Sequence, residues 1–164
     1  MFMENEYKKI INSFSKKLPH FPDGRIDYTT SKEAPVLNCF VEFNGEILLL
    51  KRSDKVGNYQ GKWNSIGGYL DEDRSLEEKV KEELSEELNI EENNIANIQI
   101  GEAYAFHDKD IDKIWHIFPV LAKLKAKPEI NLDWEHTEYV WIAKEEVKNY
   151  DTVPRLLEVL EHIK

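Results

Sequence analysis

The chain has 164 residues, 41% hydrophobic and 33% charged, with a formal net charge of −10. That length and balance favour a single soluble globular domain with its own core, and no apolar run nears the roughly 20 residues of a membrane span. The acidity and the lack of a basic patch argue against a nucleic-acid binder, because surfaces of like sign repel. The lone Cys39 excludes an intrachain disulfide and fits a reducing compartment. Met1-Phe2-Met3-Glu4-Asn5 has no basic stretch leading into an apolar one, so no secretory leader is expected and the location reads as cytoplasmic.

Tyr7, Ile10, Ile11, Phe14 and Leu18 recur at helical spacing and predict a helix from about residue 4 to 18. Pro19, Pro22 and Gly24 end it and start a linker. Residues 1–34 therefore read as a helix-and-linker extension of a domain spanning 35–164. Its helix is a docking element, seated on its own domain or on a second subunit, so a homodimer is one arrangement it allows.

Val36–Phe43 and Glu46–Arg52 are apolar and β-forming, and Asn44-Gly45 between them is a strong hairpin signal. Cys39 falls inside the first strand, where a buried structural thiol is expected. A polar loop follows, Ser53–Lys62, with Gly57 and Gly61.

Gly67 and Gly68 come next and are expected in a loop whose backbone approaches something closely. Ser75 followed by Glu78 reads as a capping box, so a helix starts near residue 76, and Asn89 is its expected left-handed terminator. Leu76, Val80, Leu84 and Leu88 form its apolar stripe. At about 100° per residue, Glu83 and Glu87 fall within or beside that stripe, with Glu86 at its border. Glu77, Glu78, Lys79 and Lys81 suit a solvated face. Acids are seldom buried without a partner, and like charges at this spacing repel. A hard divalent cation would turn the repulsion of Glu83, Glu86 and Glu87 into ligation.

Beyond the helix, Ile95–Phe106 reads as a strand with a bulge at Gly101, and Ile114–Leu124 as its hairpin partner. Glu138–Ile142 reads as another strand, and Lys144–Lys148 and Pro154–Ile163 as short helices. Hairpins mixed with helices predict an α/β fold, a mixed sheet with helices on both faces.

The stretch from Gly68 to Ile90 resembles the Nudix box, G-x5-E-x7-R-E-U-x-E-E-x-G-U with U bulky and aliphatic. Gly68, Glu83, Leu84, Glu86, Glu87 and Ile90 match without a gap. Arg74 stands where the family has Glu, Glu82 where it has Arg, and Asn89 where it has Gly. The first two exchange charge, so Arg74 and Glu82 are expected to keep an ion pair with swapped partners. Glu82, when ionised, has no hydrogen to donate and cannot orient a neighbouring carboxylate as the family's Arg does.

Trp63-Asn64-Ser65-Ile66-Gly67-Gly68 is similar to the family's W-x-x-P-G-G, and Arg52 looks like its phosphate-contacting arginine. Glu135, six residues before Trp141, matches a further acidic position of some members.

The resemblance implies an α/β/α sandwich and a hydrolase acting on a diphosphate bond in a nucleoside diphosphate derivative. The ion would be magnesium, with manganese as substitute, held by Glu83, Glu86 and Glu87. Glu83 and Glu135 are the candidate bases. Arg52, Gly67 and Gly68 would contact a small-molecule nucleotide substrate, with no nucleic acid or membrane as partner. The alternative is a Nudix-fold nucleotide-binding or regulatory domain without turnover, motivated by Arg74 and Glu82. The histidines His107, His116 and His136 read as structural, and Trp115, Trp134 and Tyr104 as core before base-stacking groups.

Overall fold

The computed structural model describes residues 2–163. Helix α1 (Phe2–Lys17) leads through a linker into β1 (Glu33–Phe43) and β2 (Glu46–Arg52). Asn44 and Gly45 turn the chain between them with φ of 51° and 83°, the two positive values that a tight hairpin needs. Short strands β3 (Trp63–Asn64) and β4 (Ile66–Tyr69) precede α2 (Leu76–Leu88). Strands β5 (Ile95–Ile100), β6 (Tyr104–Asp108), β7 (Lys113–Leu124) and β8 (His136–Ala143) follow, then a 3-10 turn at Lys144–Asn149 and α3 (Leu156–Glu161).

All eight strands join one mixed sheet. β1 and β7 run parallel at its centre, and the remaining pairs are antiparallel. On its other edge β1 is shared. Glu42 and Phe43 pair with β2, whereas Val36 to Cys39 pair with β4. That division holds β2 and β4 apart and opens the sheet toward α2.

The sheet is covered on both faces, which is why its strands read as near-continuous apolar runs. Leu37, Cys39, Val41, Leu48 and Leu50 face a core built with Leu76, Val80, Leu84 and Leu88 of α2. Tyr7 and Ile11 of α1 are buried in that same core, with Tyr7 edge-on to Phe118. Phe40, Ile47, Leu49, Ile117 and Leu121 face the opposite core, closed by Val147 and by Leu156 and Val159 of α3. Burial pushes the Cys39 thiol up to about 12, which leaves it without nucleophilic character.

Two expectations need correction. The stretch 95–106 is not one bulged strand: it breaks at Gly101 into β5 and β6, each pairing with its own part of β7. A Cβ at Gly101 would collide with the backbone carbonyl of His162, so glycine lets the C-terminal segment lie against the break. Gly67 and Gly68 sit in β4, not in a loop, and neither takes a positive φ. Their close approach is real all the same. A Cβ on Gly67 would lie 3.3 Å from the Leu37 carbonyl oxygen, and one on Gly68 3.3 Å from Glu83 Oε1.

Candidate active site

Helix α2 carries the acids, and its ends fix where they point. Ser75 accepts a hydrogen bond from the Glu78 amide, and Asn89 closes the helix at φ 57° with its amide on Leu84 and Ser85. The reciprocal half of a capping box is missing: the Glu78 carboxylate lies 3.7 Å from Arg74 instead. A second cap comes from α1, where Glu4 Oε1 accepts the Leu76 amide at 2.9 Å. Arg74 pairs with Glu82, as the exchanged charges led one to expect.

With its ends held and its leucines inward, α2 turns Glu83 and Glu87 into a groove of about 610 Å³. Glu86, Asp71, Lys79, Arg52, Gly67, Gly68 and Glu135 also line it. Glu87 is 4% exposed and Glu86 is exposed on the rim. Desolvation raises the Glu87 pKa to about 10, helped by the neighbouring carboxylates of Glu83 and Glu135. Glu83 is also raised by burial, opposed by Lys79.

The remaining predicted residues come to the same place. Arg52 ends β2 half-buried. Its Nε and Nη2 donate to the Asn58 carbonyl at 3.1 and 2.9 Å, which fixes the guanidinium at the groove wall. Glu135 reaches the groove from the loop before β8, beside Glu87. Ligand atoms of Asp133, Glu135 and His136 lie within 4.8 Å of one another, with His136 Nδ1 3.1 Å from Asp133 Oδ1. Among the described residues this is the tight cluster. Glu83, Glu86 and Glu87 share the groove without converging so closely.

The donor set fits a hard divalent cation. Among the described residues Glu87 Oε2 is buried without a hydrogen-bond partner, an unsatisfied acceptor that a bound cation would fill. Carboxylate oxygens are what such ions take.

A second cavity, of about 220 Å³, adjoins the groove across β4 and shares Arg52, Gly67, Gly68 and Tyr69 with it. Tyr69, Tyr104, Phe106 and Trp115 give it aromatic walls. Tyr59 Oη donates to Asp108 at 2.5 Å along its side, and Arg155 lies 4.4 Å above the Phe106 ring. The Tyr104 hydroxyl is buried without a partner among the described residues. Trp115 and Tyr104 thus line a cavity as well as a core, while Trp134 is 61% exposed.

A profile of the family described as NUDIX domain matches residues 32–163. The chain belongs to the Nudix family. Over 136 residues it is 29% identical to the CTP pyrophosphohydrolase of Escherichia coli K12, covering 79% of this chain and 90% of that one. Over 125 residues it is 25% identical to the nucleoside triphosphatase NudI of Escherichia coli, covering 73% and 89%. Among solved structures, the MutT protein of Methanosarcina mazei superposes with a TM-score of 0.64 at 26% identity, over 79% of this chain and 91% of the other. The α/β fold and a Nudix hydrolase of nucleotide pyrophosphate bonds, both expected from the sequence, stand with these matches.

Sequence reasoning missed three groups. Lys79, expected on the solvated face, is 8% exposed, with Nζ 3.0 Å from Glu83 Oε1. The helical wheel held the signal, since Lys79 lies one step of four from Glu83, on the same side of the stripe. Asp71, also 8% exposed, sits behind Lys79. Arg25 of the linker reaches the groove and comes within 3.6 Å of Asp71, a contact that no local pattern announces.

Proposed function

We propose that the chain is a magnesium-dependent nucleotide pyrophosphohydrolase, releasing a nucleoside monophosphate as water cleaves the anhydride. The observation that carries this is the orphaned buried oxygen of Glu87, in one groove with Glu83 and Glu135 and beside an aromatic cavity. Glu83, Glu86 and Glu87 would hold the ion. When bound, magnesium would neutralise phosphate oxygens and acidify a coordinated water. Glu135, or Glu83, takes the proton from the attacking water. Arg52, held by Asn58, presents guanidinium hydrogens to a phosphate. The backbone of Gly67 and Gly68 lets the chain pass between groove and cavity without side-chain bulk. Stacking surfaces beside the phosphate site suit a nucleoside base, and the names of the relatives favour nucleoside triphosphates as the first substrates to try. A free buried Cys39 suits a cytoplasmic enzyme.

The test is incubation with magnesium and a panel of nucleoside triphosphates, dinucleoside polyphosphates and nucleotide sugars, with products identified by mass. Glu83→Gln should abolish turnover in a folded protein. Nucleotide binding without any phosphate release by the wild type would favour a binding or regulatory domain instead.

A further inference from the structure

Lys79 takes no part in the proton transfer or the phosphate contacts, yet it is the best-buried cation near the acids. Its ammonium is removed from water, and a buried ammonium needs acceptors. Two carboxylates supply the opposite charge, Glu83 Oε1 in close ion-pair contact at 3.0 Å and Asp71 Oδ1 farther off at 3.9 Å. Asp71 is in turn backed by Arg25 at 3.6 Å, and the Ile26 amide donates to the Asp71 carbonyl at 2.9 Å. The linker thus holds Asp71, and Asp71 faces Lys79.

Helix energetics do not call for this lysine. It sits in the fourth position of α2, near the positive end of the helix dipole, where a cation is disfavoured. Lysine preceding glutamate at this spacing is also the weaker of the two orders. On the opposite side, the Glu83 carboxylate is hemmed in by Gly68, where a Cβ would stand 3.3 Å from Oε1 and 3.4 Å from Cδ. One oxygen of Glu83 is therefore gripped between a backbone and an ammonium.

We propose that Lys79 is a positioning residue: it clamps Glu83 Oε1 and so directs Oε2 toward a divalent ion in the groove. This rests on the hydrolase reading of that groove. The clamp has a cost, since the ammonium is a positive charge set close to a cation site. Removing it should loosen Glu83 and, at the same time, make the groove more attractive to cations. A lysine that merely holds the fold together predicts no such opposition.

The experiment compares wild type, Lys79→Met, Lys79→Gln and Lys79→Arg. Binding of Mn2+ alone is read by electron paramagnetic resonance, and steady-state kinetics are read with the substrate found in the product screen. Lys79→Met should bind Mn2+ about tenfold more tightly, because a nearby positive charge is gone. Its kcat should fall about a hundredfold with KM little changed, as expected when a reacting group is misplaced by about an ångström. Lys79→Arg should recover part of kcat. If Lys79→Met does not fold, Lys79→Gln, which keeps an N–H donor without the charge, carries the same comparison. Mn2+ affinity equal to or weaker than wild type, or an unchanged kcat, overturns the role of Lys79 and leaves the hydrolase reading standing. A wild-type protein that binds no Mn2+ overturns both.

Discussion

Replacing Glu87 by glutamine should make the metal-free protein more stable at alkaline pH and blunt its response to divalent ions. Glu87 is held at about 10 in the fold against an ordinary 4.5, first by burial and then by Glu83 and Glu135. A group whose pKa is raised on folding stabilises the fold below its unfolded value. It loses that contribution as pH rises toward the folded one. Metal-free stability should therefore decline from about pH 5 to about pH 10. One pH unit inside that window is worth about 1.4 kcal/mol, so going from pH 6 to pH 8 removes up to about 3 kcal/mol. In a chain of this size that is a fall of about 6–12 °C in Tm. Glutamine has nearly the same shape and no proton to take up, so Glu87→Gln should lose this slope. His136 works in the opposite sense, since burial lowers its pKa, but it is present in both proteins and cancels in the difference. Melts in chelator at pH 6, 7 and 8 measure the effect, and repeating them in magnesium completes it. The wild type should gain more from the ion at pH 8 than at pH 6, because Glu87 must shed its proton to ligate. The variant should gain little at either. An identical pH slope in the two proteins, or an undiminished magnesium response in Glu87→Gln, refutes the assignment.

Four further substitutions probe the frame around the site. Gly68→Ala puts a methyl against the Glu83 carboxylate and should lower kcat about tenfold with the Tm almost unmoved, read by kinetics beside a melt. Gly101→Ala meets the His162 carbonyl and, at 2.9 Å, Ile163 Cγ1, so its urea midpoint should report a loss of about 1–3 kcal/mol. Arg74→Glu or Glu82→Arg alone should cost no more than about 1 kcal/mol because the pair is partly solvated, and the double exchange should restore wild-type stability. Equal losses in single and double variants would mean the two residues do not act as a pair.

What the sequence made legible was governed by local periodicity and turn chemistry. The hairpin at Asn44-Gly45, the α2 caps at Ser75 and Asn89, and the inward drift of Glu83 and Glu87 are each set by residues a few positions apart. The Arg74–Glu82 pair was readable because Arg74 just precedes the helix that carries Glu82 two turns on. The split of 95–106 was not, since Gly101 is shaped by His162, 61 residues away, and no window holds both. Likewise the aromatic cavity draws Tyr69, Tyr104 and Trp115 from three strands whose proximity is a matter of sheet order. Lys79 was misread for another reason. A lysine among glutamates is usually solvated, and only the seat of Asp71 beneath it, fixed by the linker, takes it out of water.

The shared edge of β1 explains why core and site are bound together in this fold. β4 pairs with β1 through Val36 to Cys39, and the Leu37 and Cys39 side chains between them belong to the core under α2. Gly68 pairs with Leu37 and meets Glu83 through space, so the carboxylate is referenced to the sheet through two contacts. From its other side Glu83 is referenced to the linker, through Lys79, Asp71 and Arg25. A repacking at Leu37 would therefore be felt at Glu83 before it was felt at the exposed Glu86. Held between sheet and linker, Glu87 stays in the groove by keeping its proton, and a cation that takes the proton's place finds the carboxylate already aimed at it.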